Sequence, residues 1–182
     1  MRPAPAPDEG HDAMGYFFFG TLRDRDVLAL VIGRRIDDAD VKGAVLAGYR
    51  LARVVDDPYP APVADAGARI DGIVVHGLGP DEVARLAWFE GKEYAPRTVA
   101  VALAGGDIAE VQLQTPTTAL EITDADWDFE AWRRDEKALL MTLTRGHMAL
   151  YGRASLDEAI RAWDETREKL TAAPAEALSR EG

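Results

Sequence analysis

The chain has no cysteine, which excludes disulfides, thiolate catalysis, iron–sulfur clusters and cysteine-held zinc, and is compatible with a reducing compartment. Serine is nearly as scarce: Ser155 and Ser179, both near the C-terminus, are the only two. There is therefore no Gly-x-Ser-x-Gly elbow, and covalent acyl-enzyme chemistry loses most of its candidates. His11, His76 and His147 show no ligand spacing, which argues against a zinc site. Basic residues are outnumbered 32 to 21, for a net charge of -11. That balance disfavours nucleic-acid backbones and anionic membrane surfaces as partners. No apolar run approaches the length of a membrane span, and Met1 to Ala13 is rich in proline, alanine and acid rather than carrying a basic-then-apolar signal. The expectation is a soluble, cytoplasmic protein with residues 1–13 as a disordered leader and no metal or cofactor.

What is present is enough chain for one full core at 182 residues. Tyr16 to Phe19 has the aromatic density of a buried strand. After Gly20-Thr21-Leu22, Asp24 is placed to cap a helix carrying Val27, Leu30 and Val31 on one face, with Gly33 at its end. Val45 to Val55 reads as extended, the proline-rich Asp57 to Pro62 as loop, and Asp71 to Leu78 as a short strand. Pro80 opens a helix with Val83, Leu86 and Phe89 on one side and Glu90 at its C-terminal end. Thr98 to Leu103 and Ile108 to Gln114 form a hairpin around Gly105-Gly106-Asp107. From Asp126 the pattern turns helical, with Trp127, Phe129 and Trp132 available to pack on a sheet, and a last helix spans Leu156 to Leu170. Strands around one early helix, followed by late helices, imply α+β with a strongly curved or closed sheet.

Two segments carry the chemistry. The strand, glycine turn and helix through Phe19, Gly20, Thr21 and Leu22 aim backbone N–H groups at one point, where an anion can sit. Trp88-Phe89-Glu90 places a carboxylate beside large apolar rings. Taken singly, the first is an ordinary turn and the second a solvated helix-end acid. Together they suit a protein that holds an amino acid and moves its proton without a covalent nucleophile. Glu93, three residues on, serves as the internal control with an ordinary surface role, and Tyr94 lines the pocket or sits in the core.

Phe18-Phe19-Gly20-Thr21-Leu22 resembles the Tyr-Gly-Ser/Thr-Leu loop of the γ-glutamylcyclotransferase-like superfamily. Leu86 to Arg97 is similar to that family's Leu-Asp-x-Phe-Glu-x-x-x-Tyr-x-Arg segment, and Trp127 to Trp132 to the late helix of its avirulence-induced-gene-like branch. The likeness covers roughly residues 14 to 150, with 151–182 as a C-terminal helical extension and tail. It implies a six-stranded barrel-like mixed sheet with flanking helices. It also implies catalysis by Glu90 and a substrate held around Phe19, Gly20, Thr21, Leu22, Arg23 and Tyr94. Phe19 stands where the family has tyrosine, and Ala87 where it has aspartate. The missing phenol removes a hydrogen bond of about 0.5–1.5 kcal/mol.

The activity so implied is cyclisation of a small-molecule γ-glutamyl amine, dipeptide or related amide to 5-oxoproline, with one glutamate as base and then acid. The alternatives are a non-catalytic ligand-binding or interaction domain on the same fold, and an amine-lyase of different acyl specificity. The extension after Tyr151 covers the pocket, makes a dimer contact or lies on the surface, and its amphipathic helix fits each. Neither the leaving amine nor the oligomeric state follows from the sequence.

Overall fold

Alternation along the first strand divides the protein into two cores. The computed structural model describes residues 14 to 177 apart from 56, 93, 118 and 119; the expected leader, Glu93 and the end of the tail lie outside the described residues. Strand β1 (Tyr16–Phe18) buries Phe17 with Leu46, Ile70, Val74, Val101 and Val111 inside a barrel. Phe18 points the other way and packs with Val27, Leu28, Leu86, Trp132 and Leu140 under the helices.

The barrel is made by β1, β2 (Val41–Val54), β3 (Pro60–Val75), β4 (Tyr94–Leu103) and β5 (Ile108–Pro116). The strand order is β3-β1-β5-β4-β2, and a further β2–β3 pairing closes the ring. The sixth strand, β6 (Ile122–Asp126), lies outside on β2. Among the described residues only β1 and β5 run parallel, so the sheet is mixed. This is the expected α+β architecture.

β2 and β3 are much longer than their sequence suggests, pairing from Val41↔Val75 to Arg53↔Pro60 with an irregularity at Gly48, where φ is 83. Asp57 to Pro62, expected as loop, gives Pro60 and Pro62 to the start of β3. At that end β3 is paired with β2, whereas β1 joins it only at Ile73 to Val75. A proline without an N–H is tolerated where one side of the strand has no ladder.

Helix α1 (Arg25–Ile32) begins as expected at Asp24, whose carboxylate accepts from the N–H groups of Asp26 at 3.0 Å and Val27 at 3.3 Å. Asp24 is 4% exposed, and Lys137 Nζ pairs with it at 2.8 Å. Helix α2 (Pro80–Glu90) starts with proline, and Glu82 accepts from the N–H of Gly79 at 2.7 Å. The late helical region is broken into α3 (Phe129–Asp135) and α4 (Lys137–Ala149) at Glu136. Both carboxylate oxygens of Glu136 accept from Arg53 of β2, at 2.8 and 3.0 Å, which fixes the break against the barrel. Helix α5 (Leu156–Ala177) follows.

Gly72 lies on β3 just before the Ile73 to Val75 stretch that pairs with β1. A Cβ there would lie 2.5 Å from the Phe17 ring and 2.5 Å from the Phe18 carbonyl oxygen. Backbone on one side and a buried ring on the other leave no room to yield. Gly72→Ala is expected to lower stability by about 1–3 kcal/mol or more, read as a fall in the urea midpoint; an unchanged midpoint would show that β1 is less tightly held than described.

Candidate active site

β1 ends at Phe18, and after Phe19 the chain makes a single 3-10 turn, Gly20–Arg23. Gly20 has a φ of +57, and a Cβ on it would be 2.6 Å from Pro60, so both conformation and space favour glycine. The leading N–H groups of such a turn have no acceptor within it. Gly20, Thr21 and Leu22 line a cleft of about 470 Å³ together with Glu90, Tyr94 and Phe19.

Glu90 is the last residue of α2, followed by Gly91 at φ 74. It is half-buried, with Phe89, Leu140 and Trp163 lining the same cleft. Burial pushes its carboxyl up from 4.5 to about 8. Trp88, expected to share in that desolvation, packs instead against His147 and Tyr151, with ring centroids 5.8 and 5.7 Å away. Phe89 is the ring on the cleft side, and its neighbours are His147 and Trp163 at 6.2 and 6.4 Å.

Of the expected site residues, Phe19, Gly20, Thr21, Leu22, Glu90 and Tyr94 all line the cleft. Arg23 is not among its lining residues: its guanidinium stacks over the Phe129 ring, 4.7 Å from the centroid. Arg97 also lies elsewhere, beside a second cavity within β2 to β5.

The rest of the wall comes from the connection before β3 and from the extension after Tyr151, for which a place over the pocket was one of three expectations. Leu156, Ile160, Trp163 and Arg167 of α5 line the cleft; their spacing of four, three and four residues puts them on one helical face. Arg167 donates to Asp57 at 2.6 Å, and the Tyr59 hydroxyl donates to the other oxygen of Asp57 at 3.0 Å. Burial, and then the Asp57 charge, drive the Tyr59 phenol well above its ordinary value. Lys92 pairs with Asp157 at 2.8 Å on the exposed rim. The β2–β3 connection and α5 are thus tied together across the cleft.

A five-stranded barrel with an outer strand, a glycine turn after β1 and a glutamate at the end of α2 define a γ-glutamyl cyclotransferase-like fold. The family profile described as "Gamma-glutamyl cyclotransferase, AIG2-like" matches residues 16–129, and the chain belongs to that family. AIG2-like protein C of Arabidopsis thaliana is 32% identical over 141 residues, covering 75% of this chain and 78% of its own. AIG2-like protein D of the same plant is 30% identical, over 65% of this chain and 78% of its own. A solution structure of another Arabidopsis thaliana protein superposes with a TM-score of 0.54 at 22% identity, covering 81% of this chain and 98% of that one. Among the described residues no helix is long and apolar enough to cross a membrane.

The raised Glu90 carboxyl makes stability depend on pH. Folded protein keeps the proton up to about 8, whereas an ordinary glutamic acid releases it near 4.5. Between those values the folded state binds more protons, so stability is full below the lower one and falls as pH rises through the upper. Glu90→Gln removes the dependence. The variant should melt close to wild type at pH 5 and above it at pH 9, by an amount on the order of a few kcal/mol; an equal difference at both pH values would mean that the carboxyl is not desolvated.

Proposed function

We propose that this chain is a γ-glutamyl cyclotransferase that closes a γ-glutamyl amide to 5-oxoproline and releases an amine. The observation that carries the reading is the Glu90 carboxyl, pushed up to about 8 by burial in a cleft that it shares with the Gly20–Leu22 turn. An α-ammonium has a pKa of about 8, and an ordinary carboxylate lies about four units too low to take its proton readily. Matching the two brings proton transfer close to balance.

In the proposed sequence the turn's N–H groups hold the substrate's α-carboxylate or the developing oxyanion. Glu90 takes one proton from the α-ammonium, giving that nitrogen a lone pair. The nitrogen attacks the γ-carbonyl, forming the ring C–N bond and an oxyanion. As the oxyanion collapses, Glu90 gives its proton to the departing nitrogen and takes one from the ring nitrogen, and the old C–N bond breaks. Lactam and free amine result, and the amine takes up the last proton from Glu90. Because the reaction is intramolecular, alignment alone is worth effective molarities on the order of 10⁵ M or more.

A second reading, a binding domain on the same fold, is favoured by one observation: Phe19 brings a ring and no hydroxyl to the cleft. Mass spectrometry for 5-oxoproline decides between them. Wild-type protein incubated with γ-glutamyl amines, dipeptides and glutathione is expected to release it, and Glu90→Gln, folded as judged by its melting curve, to lose that release by about 10²-fold or more. No 5-oxoproline from any of these with folded wild-type protein would favour the binding domain; a different cyclised product would indicate another acyl specificity.

A further inference from the structure

One end of the barrel carries an exposed cation with no ion-pair partner among the described residues. Arg97 lies on β4 in register with Val99 and Val101, two and four residues on, and so on the same face as these two members of the barrel core. Its cross-strand partner on β5 is Leu113, which is 3% exposed inside the barrel. Burial grades along this face from Val101, fully buried, through Val99, half-buried, to Arg97, exposed at the barrel's end.

At that end lies a cavity of about 380 Å³, lined by Tyr49, Val63, Val99 and Leu113, with Ile122 and Arg97 also on its wall. It shares no lining residue with the Glu90 cleft. Alternation on β5 explains the separation: Gln112 and Gln114 face the cleft, while Leu113 and Thr115 face this cavity. Neither the Arg97 guanidinium nor the Tyr49 hydroxyl has a hydrogen-bond or ion-pair partner among the described residues. In a chain with 32 acidic residues to 21 basic ones, an exposed arginine beside apolar walls with no ion pair among the described residues is available to an anionic ligand.

We propose that this end of the barrel is a second ligand site, taking a small monocarboxylate with a hydrocarbon body, its carboxylate on Arg97 and Tyr49 and its body against Val63, Val99 and Leu113. The guanidinium presents parallel N–H groups that match a carboxylate in the plane. The phenol supplies a further donor, and the apolar walls reward a hydrocarbon chain that acetate lacks. The site is independent of the reaction proposed for the Glu90 cleft.

The test is titration of the isotope-labelled full chain with hexanoate, hexanamide and acetate, followed by backbone amide shifts. Hexanoate should shift the amides of Val99, Leu113 and Thr115 saturably, with hexanamide, acetate and Arg97→Gln each weakening binding by about tenfold or more. Tyr49→Phe removes a single oxygen atom and supplies the same comparison should Arg97→Gln melt early. Absence of saturable shifts with hexanoate, equal binding of hexanamide, undiminished binding by both variants, or shifts confined to Gly20, Thr21 and Leu22 would each overturn the proposal.

Discussion

Everything in this protein hangs on the pleat of a three-residue strand. β1 is flanked by β3 on one side and β5 on the other, so it cannot slide without breaking two ladders. Its period of two commits Phe17 to the barrel and Phe18 to the helical layer. A slip of one residue would exchange the two and expose both cores. Fixing β1 also fixes where Gly20 begins its turn, because only Phe19 intervenes. The position of the turn's N–H groups is thus decided by packing inside the barrel rather than by the turn itself.

That dependence explains which parts of the fold were legible in the sequence. The strand, glycine turn and capped helix from Tyr16 to Gly33 are local, and each residue's propensity agrees with its neighbours'. The same holds for the β4–β5 hairpin, with its glycines at the tip. The long β2–β3 ribbon was legible only in part, because Pro60 and Pro62 contradict a strand unless one knows that β1 leaves one side of that end of β3 without a ladder. β6 was missed for a related reason. Ile122 to Asp126 has no inward face of its own and is a strand because β2 offers an edge. The break at Glu136 rests on Arg53, 83 residues earlier, and no window along the chain contains both.

The cleft divides along the same line. Glu90 and the Gly20 turn stand out because a motif brings them together, and helical phase put Phe89 and Glu90 at the end of α2. Helical phase also explains the misplaced Trp88. Successive residues diverge by about 100° around an α-helix, so the two rings beside Glu90 cannot both face the same space. Phe89 lines the cleft, whereas Trp88 packs against His147 and Tyr151. Trp163 and Arg167 were invisible as site residues because α5 reaches the cleft only through tertiary packing, held by the Asp57 and Asp157 pairs.

A carboxyl raised from 4.5 to about 8 is a permanent strain on the folded state at high pH, and the surroundings show how it is sustained. No cation accounts for the shift, which is purely an effect of burial. Lys92, two residues away, is turned to Asp157, and Arg167, on the same cleft wall, to Asp57. Had either cation paired with Glu90, Coulomb attraction would have lowered the carboxyl toward or below its ordinary range. Asp57 and Asp157 therefore do more than tie α5 in place: by occupying the nearby cations they leave the dry walls to set the proton affinity of Glu90. Stability is given up at that one carboxyl, and the largely exposed Lys92–Asp157 pair offsets little of it. The proton transfer proposed for Glu90 requires this division, because pairing with lysine or arginine would lower the carboxylate's affinity for the proton of a bound ammonium.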